Sequence, residues 1–295
     1  MNILLCGASG FMGRAIGQAL RHEGHRVIAT HSPSRHTLAD AMPVDFAKDT
    51  DVATWLPRLV GIDAVVNAVG VLRDTPGRPM QAVHQDTPRA LFQACAQAGV
   101  RRVIQVSALG IEGNRTRYAQ TKLAADQCLL ALTASGQLDG LVLRPSLVFG
   151  RGGDSSELFM LLARSPVVGL PQAVLQGRVQ PVSLPDLAEA VTRLLGATSE
   201  ITGVLACVGP QPMRLGEFVA CLRSQQGRRP ARVFGLPQVI SRWSARLGDH
   251  LHWAPWCSET EALLAQDNVG APEPFARILG RESTPPDQFM GTAWS

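Results

Sequence analysis

This chain of 295 residues holds one tyrosine, Tyr118, and only two lysines, Lys48 and Lys122. Tyr118 and Lys122 are four positions apart, so on a helix they share a face, and a phenol and an ammonium can reach one ligand together. Random placement would set a lysine there roughly once in 150 arrangements, so accident explains the pair poorly, although a solvated helix N-terminus is the alternative. A second set of residues stands at the start, where the apolar run Asn2 to Cys6 breaks into Gly7-x-x-Gly10-x-x-Gly13. A sharp strand-to-helix turn needs residues without a Cβ, and so does close approach of a pyrophosphate to the backbone. A helix opening at Phe11 or Met12 would point unpaired N–H groups and its positive dipole end at the phosphates. Gly7, Ser9, Gly10, Phe11, Met12 and Gly13 are therefore a candidate nucleotide cradle, the alternative being an ordinary glycine-rich turn.

These residues need a scaffold, and strand-like and helix-like segments alternate through the first half of the chain. After a first helix near Met12 to Arg21, a strand at Arg26 to Thr30 leads to His31, Ser32, Ser34 and Arg35, with no acid before Asp40. An acid there would hydrogen-bond a ribose 2′-hydroxyl, whereas cations accommodate a 2′-phosphate, so the segment favours NADP(H) over NAD(H). Ser32-Pro33-Ser34 would also make a plain solvated turn. A short strand at Pro43 to Asp45 ends in Asp45-Phe46, and a helix is expected at Val52 to Leu59. A strand at Ala64 to Asn67 runs into Ala68-Val69-Gly70, small residues that let a cofactor lie against the backbone. A long helical pattern from Met80 to Ala98 stops at Gly99. A strand from Arg102 to Val106 delivers Ser107 at its carboxyl end, the edge where open parallel sheets bind ligands. The helix opened by Tyr118 reaches about Ser135, and a strand at Gly140 to Arg144 precedes Pro145 and Val148. The alternation implies an α/β fold, a doubly wound parallel (Rossmann) sheet over 1–150, rejoined by about 179–196. Residues 151–178 and 203–295 are expected to form a smaller C-terminal lid domain.

Composition narrows the function classes. Apolar residues make up 45% and charged residues 18%, as in a globular protein. The net charge is +4, but the basic residues are scattered and aromatics are only 5%, so no nucleic-acid face is expected. Six cysteines lie far apart with no C-x-x-C, which predicts reduced thiols and neither disulfides nor a metal site. His22, His25, His36, His250 and His252 lack metal-ligand spacing and are expected at the surface. No secretory signal and no membrane-spanning run is expected, which points to the cytoplasm. Ser183 to Asp186 has the spacing of a helix cap, so Asp186 is expected to start a helix rather than to act as a catalytic acid. Residues 235–257 place Trp243, Trp253 and Trp256 among Val239, Ile240, Leu247 and Leu251, with Arg242 and Arg246 nearby. Packing into core and lid is the favoured expectation, and an amphipathic surface for a membrane or partner is the alternative. The Pro-rich tail from Ala271 is expected to wrap the surface.

The glycine turn, Asn67-Ala68-Val69-Gly70, Tyr118-x-x-x-Lys122 and Arg144-Pro145-x-x-Val148-Phe149-Gly150 occur in this order. Together they resemble the extended short-chain dehydrogenase/reductase superfamily. The segments 180–190 and 150–154 look like its atypical branch, which includes the NADPH-binding accessory subunit of respiratory complex I and bacterial relatives. The resemblance implies that Tyr118 is a general acid/base at a substrate oxygen while a nicotinamide carries the hydride. It implies that Lys122 binds the nicotinamide ribose and favours the phenolate. Ser107 is the nearest candidate for the hydroxyl that holds the substrate oxygen, although Leu109 aligns closer to that position and His84 stands where relatives carry a structural Asn. The short interval from Ser107 to Tyr118 leaves little room for a full substrate loop. Two functions follow: an NADP(H)-dependent reductase or epimerase-like oxidoreductase acting on an unknown small molecule, or an NADP(H)-binding structural or redox-sensing module. The module would contact a partner protein such as a respiratory complex, or a membrane surface.

Overall fold

In the computed structural model, which describes residues 1–32, 41–75, 77–196, 201–250 and 256–294, the apolar opening run is strand β1 (Asn2–Cys6). It turns into α1 (Phe11–His22) and returns as β2 (Arg26–His31). β3 (Met42–Pro43) and α2 (Val52–Trp55) follow, the latter tightening into a 3-10 turn at Leu56–Leu59 before β4 (Ala64–Asn67). A π-helical turn, Gln81–Asp86, leads into α3 (Thr87–Ala98), β5 (Arg102–Val106), α4 (Arg117–Ala134) and β6 (Asp139–Pro145). The later elements are β7 (Val148–Phe149), α5 (Asp154–Arg164), β8 (Val167–Pro171), α6 (Gln172–Gln176), β9 (Arg178–Val179), β10 (Val182–Ser183) and α7 (Leu184–Leu194). They continue as β11 (Gly203–Cys207), β12 (Met213–Arg214), α8 (Leu215–Gln225), β13 (Arg232–Leu236), α9 (Gln238–His250), α10 (Ser258–Leu264), α11 (Glu273–Leu279) and α12 (Phe289–Thr292).

The main sheet has the order β11-β6-β5-β4-β1-β2-β3, and every pair from β3 to β6 is parallel. This is the doubly wound α/β sheet that the alternation implies, with the strand order reversing beside β1, where such sheets bind dinucleotides. The strands are buried apolar runs, Ile3 to Cys6, Ala64 to Val66 and Val103-Ile104, as expected of a sheet covered on both faces. Trp55, Leu91, Phe92 and Cys95 pack on Leu4, Val65 and Val103 from the helical layer. Each such side chain contributes about 1.5–3 kcal/mol of burial. Gly99 ends α3 in the left-handed conformation, φ 77°.

The chain divides into two compact bodies: Met1–Ile111, Arg117–Arg144 and Ala188–Leu205 form one, and Glu112–Thr116, Pro145–Leu187 and Ala206–Ser295 the other. Residues 145–150 and 179–187 thus group with the second body. Its core is aromatic: Phe149 stacks on Phe289 at 5.4 Å and meets Phe218 edge-on at 5.6 Å. Asp186 lies in the first turn of α7, where it accepts hydrogen bonds from Arg281 and from Thr284.

Several local expectations are corrected. β3 is only Met42–Pro43 and stops short of Asp45, whose carboxylate accepts from the Ala47 N–H and whose own N–H donates to Asp49, a side-chain turn that competes with the ladder. Between 178 and 183 the chain makes two short strands, β9 paired with β12 and β10 with β7. Pro181, with no N–H to donate, separates them. The tail does not merely wrap the surface, since Phe275, Leu279 and Phe289 are fully buried. The Trp-rich region packs inward only in part: Trp256 lies against the aromatic core, whereas α9 buries Ser241, Ala245 and Gly248 and turns Trp243 and Leu247 outward. Trp253, Leu251, His36 and His252 lie outside the described residues. His22 and His250 are exposed, and His25 is half-buried.

Candidate functional site

The glycine turn is built for contact with backbone. Gly7 has φ 82°, and a Cβ on it would lie 2.9 Å from the Ala68 carbonyl carbon and oxygen. A Cβ on Gly13 would stand 2.0 Å from the Gly7 carbonyl oxygen. That oxygen accepts the Gly10 N–H at 2.9 Å, closing the turn, and Gly10 is the N-cap of α1, which no side chain caps. The first N–H groups of a twelve-residue helix are therefore left to an anion. Ser9, Phe11 and Met12 fall in this turn and first helical turn, as expected from sequence.

Beyond the cradle, β4 ends at Asn67, whose amide donates to Gln105 at 2.8 Å and accepts the Val69 N–H at 3.2 Å. This pins the Ala68-Val69-Gly70 turn. Lys122 reaches the same turn from α4, its Nζ donating to the Val69 carbonyl at 3.3 Å and the Val106 carbonyl at 3.1 Å. A Cβ on Gly70 would lie 3.3 Å from that Nζ and 3.8 Å from His84 Nε2. His84, on the π-helical turn, accepts the Val71 N–H at Nε2 (2.9 Å), and its Nδ1 lies 3.1 Å from Thr121 Oγ1. An Nε2 that accepts fixes the neutral Nδ1–H tautomer. Burial, and next the Lys122 charge, push the imidazole down to about 2, in keeping with that tautomer. The Tyr118 ring meets the His84 ring edge-on at 5.3 Å.

Behind them lies a buried carboxylate. Asp126 accepts from Ser107 Oγ at 2.8 Å and from Arg144 Nε at 3.1 Å. Its other oxygen is buried with no hydrogen-bond partner. Burial raises its carboxyl above the usual range, against the pull of Ser107, Arg144 and Lys122. Burial first, and the Asp126 charge second, push the Tyr118 phenol up to about 12, the opposite of the shift toward phenolate that the resemblance implies. Burial lowers Lys122 to about 8, with Asp126 opposing the shift.

The structure thus brings Tyr118, Lys122 and Ser107 into one cluster with Val69 and Gly70, while Ser107 directs its hydroxyl at Asp126. Leu109 is half-buried. His31 ends β2, with Nδ1 3.0 Å from the Ser32 carbonyl. Arg35 lies outside the described residues. Asp45 is held in its own turn, and Phe46 packs edge-on against Trp55 at 5.8 Å. Pro145 and Val148 belong to the second body, where Val148 pairs with Val182. Sequence reasoning gave no role to Asp126, Arg144 or Thr121 and left His84 as an unexplained departure. Asp126 had a signal, standing four residues beyond Lys122 and eight beyond Tyr118 on one helical face.

Residues 3–203 match the NAD dependent epimerase/dehydratase family. The chain belongs to this family. Among its relatives, the ceramide reductase of Caulobacter vibrioides (strain NA1000 / CB15N) is 29% identical, over 99% of this chain and 95% of that protein. The mitochondrial NADH dehydrogenase [ubiquinone] 1 alpha subcomplex subunit 9 of Rattus norvegicus is 24% identical, over 95% of this chain and 76% of that protein. Among solved structures, the NADPH-dependent quinone oxidoreductase of Escherichia coli complexed with NADPH superimposes with a TM-score of 0.72 at 15% identity, covering 99% of each chain. A likeness at that identity shows the shared fold. Family and cradle agree that the protein binds a nicotinamide dinucleotide. Among the described residues no helix is long and apolar enough to cross a membrane.

Proposed function

We propose that this protein is an NADP(H)-dependent oxidoreductase that reduces a carbonyl group on a small or lipid-like substrate. The dinucleotide, when bound, supplies the hydride. Gly7, Gly10 and Gly13 hold its pyrophosphate against the start of α1, and Val69 and Gly70 line its path toward α4. Lys122 orients the nicotinamide ribose, and Tyr118 gives its proton to the carbonyl oxygen. The observation that carries this reading is Tyr118 and Lys122 one turn apart on α4, with the Lys122 ammonium buried against the Val69 carbonyl of the cofactor-side turn. A phenol beside a cation can donate its proton to a developing alkoxide and take it back in the reverse reaction. The ceramide reductase relative supports a carbonyl reductase over an epimerase. Preference for the 2′-phosphate rests on His31, Ser32 and Arg35 and on the lack of an acid before Asp40.

One observation favours the alternative, a nucleotide-binding module that contacts a partner: Ser107, the candidate holder of the substrate oxygen, donates to Asp126 instead. The relative named for NADH dehydrogenase supports the same alternative. A bound dinucleotide stabilises the fold whether or not it reacts. Tyr118→Phe separates the two. Loss of at least a hundredfold in NADPH oxidation with cofactor affinity kept supports the reductase. No turnover in a broad carbonyl screen, with identical behaviour of wild type and variant, supports the module. Mass spectrometry of small molecules released from the purified protein would name the dinucleotide.

A further inference from the structure

The α9 helix is amphipathic in the unusual sense that its small residues face inward. Ser241, Ala245 and Gly248 are its buried positions, and contact is so close that a Cβ on Gly248 would fall 2.0 Å from the Trp256 carbonyl oxygen. The large apolar side chains point the other way: Val239 is 67% exposed, Ile240 52%, Trp243 69% and Leu247 63%. At 100° per residue these four span one arc opposite the packed face, over about 12 Å of helix. Isolated exposed hydrophobes need no explanation, but four on one face do. Arg242 and Arg246 border the arc on one side, both exposed, and neither pairs with an acid among the described residues. The nearest acids are engaged elsewhere: Asp249, exposed and one turn past Arg246, accepts from Ser258, and Glu261 accepts from Ser241. Arg228, Arg229 and Arg232 precede the helix in sequence, adding to the positive charge of the segment.

We propose that α9 docks this protein on an anionic lipid surface, with Val239, Ile240, Trp243 and Leu247 entering the headgroup boundary and Arg242 and Arg246 meeting lipid phosphates. An apolar arc edged by two exposed arginines, with the neighbouring Asp249 engaged by Ser258, matches a negatively charged bilayer surface, and an indole suits the water–hydrocarbon boundary. A second copy packed antiparallel on this face would bring arginines against arginines along the same edge. The inference stands on α9 alone and does not depend on the oxidoreductase reading.

The test is flotation of the full chain with vesicles of phosphatidylcholine, with and without phosphatidylglycerol. The wild type is expected to float with the anionic vesicles and to be released by salt. Arg242→Gln/Arg246→Gln should weaken that binding roughly 30-fold, at about fivefold per cation. Trp243→Ser/Leu247→Ser should weaken it at least tenfold, and since both side chains face solvent its melting temperature should match the wild type. Failure of the wild type to float with anionic vesicles at low salt overturns the proposal. So does undiminished binding by both double variants. A dimer seen by light scattering that Trp243→Ser/Leu247→Ser abolishes, without vesicle binding, would assign the face to a second copy and also overturn it.

Discussion

Replacing Gly13 by Ala tests the nucleotide cradle at a single atom. The new Cβ would lie 2.0 Å from the Gly7 carbonyl oxygen, 2.7 Å from its carbon and 3.0 Å from Ala8 Cα, all of them backbone atoms. A relaxed contact requires the turn to retreat by about 1 Å, and such overpacking costs about 1–3 kcal/mol. The same carbonyl accepts the Gly10 N–H, so the turn also loses a hydrogen bond of about 1 kcal/mol. The helix propensity of Ala returns about 1 kcal/mol. The net cost is about 1–3 kcal/mol, and at about 2–4 °C per kcal/mol the melting temperature should fall by about 2–12 °C. Gly17→Ala, one turn along α1, is the control. Its Cβ would first meet the side-chain ends of Leu5 at 3.0 Å and Arg21 at 3.3 Å, not backbone, so it should keep wild-type stability within about 1 kcal/mol. Thermal melts with and without NADPH give the second readout. At a hundred times its Kd the ligand should stabilise wild type and Gly17→Ala by about 2.7 kcal/mol, an increment that Gly13→Ala should lose. A folded Gly13→Ala that binds NADPH as wild type does would refute the cradle, as would equal damage from the two substitutions.

The remaining predictions concern charge. Lys122, lowered mainly by burial to about 8, is cationic below that pH and loses its proton as pH rises through it. The rate kcat/KM for carbonyl reduction should therefore be flat on the neutral side and fall above about pH 8. Tyr118, at about 12, should add no limb below pH 10, and an acidic limb in place of the alkaline one would sink the assignment. Between about 8 and 10.5 the unfolded chain holds a proton on this lysine that the folded chain lacks, so its contribution to stability should rise with pH there, a slope that Lys122→Met removes. Arg35→Asp should raise the Kd for NADPH at least tenfold more than that for NADH, by loss of a phosphate contact and gain of repulsion. Equal effects on both cofactors in a titration would remove the case for a 2′-phosphate.

Most of the first body was legible because its signals are local. β4 and β5 fall at the expected residues, since short buried apolar runs ended by small or polar residues have few alternatives. Gly99 and the glycine turn were readable because each needs a conformation or an approach that a Cβ forbids. The π-helical turn at Gln81–Asp86 was not, because its apolar spacing is close to that of the α3 pattern that follows. Nor was the role of His84, whose partners Val71 and Thr121 lie 13 and 37 residues away. In the second body composition misled: three buried apolar anchors, Phe275, Leu279 and Phe289, hide in a polar, Pro-rich tail. The modest apolar content of the segment between Pro237 and Pro255 suggested packing into core and lid, but on α9 it is the small residues Ser241, Ala245 and Gly248 that make the close approach.

The spacing of Tyr118, Lys122 and Asp126 gives α4 a polar stripe that runs inward along one face, and its inner end explains its outer one. Asp126 is fixed by two neighbouring strands, through Ser107 just past β5 and Arg144 on β6, so the carboxylate cannot turn away from the helix face it shares with Lys122. From there its charge raises the phenol and opposes the fall of the ammonium, so both effects keep protons on Tyr118 and Lys122. Burial alone would keep the phenol protonated but would strip the lysine further. A buried acid behind the pair keeps a neutral donor and a cation side by side near neutral pH, the combination that delivery of a proton to a carbonyl oxygen requires. In the proposed reductase Ser107 would serve the pair indirectly, by holding Asp126, leaving Tyr118 to meet the substrate oxygen.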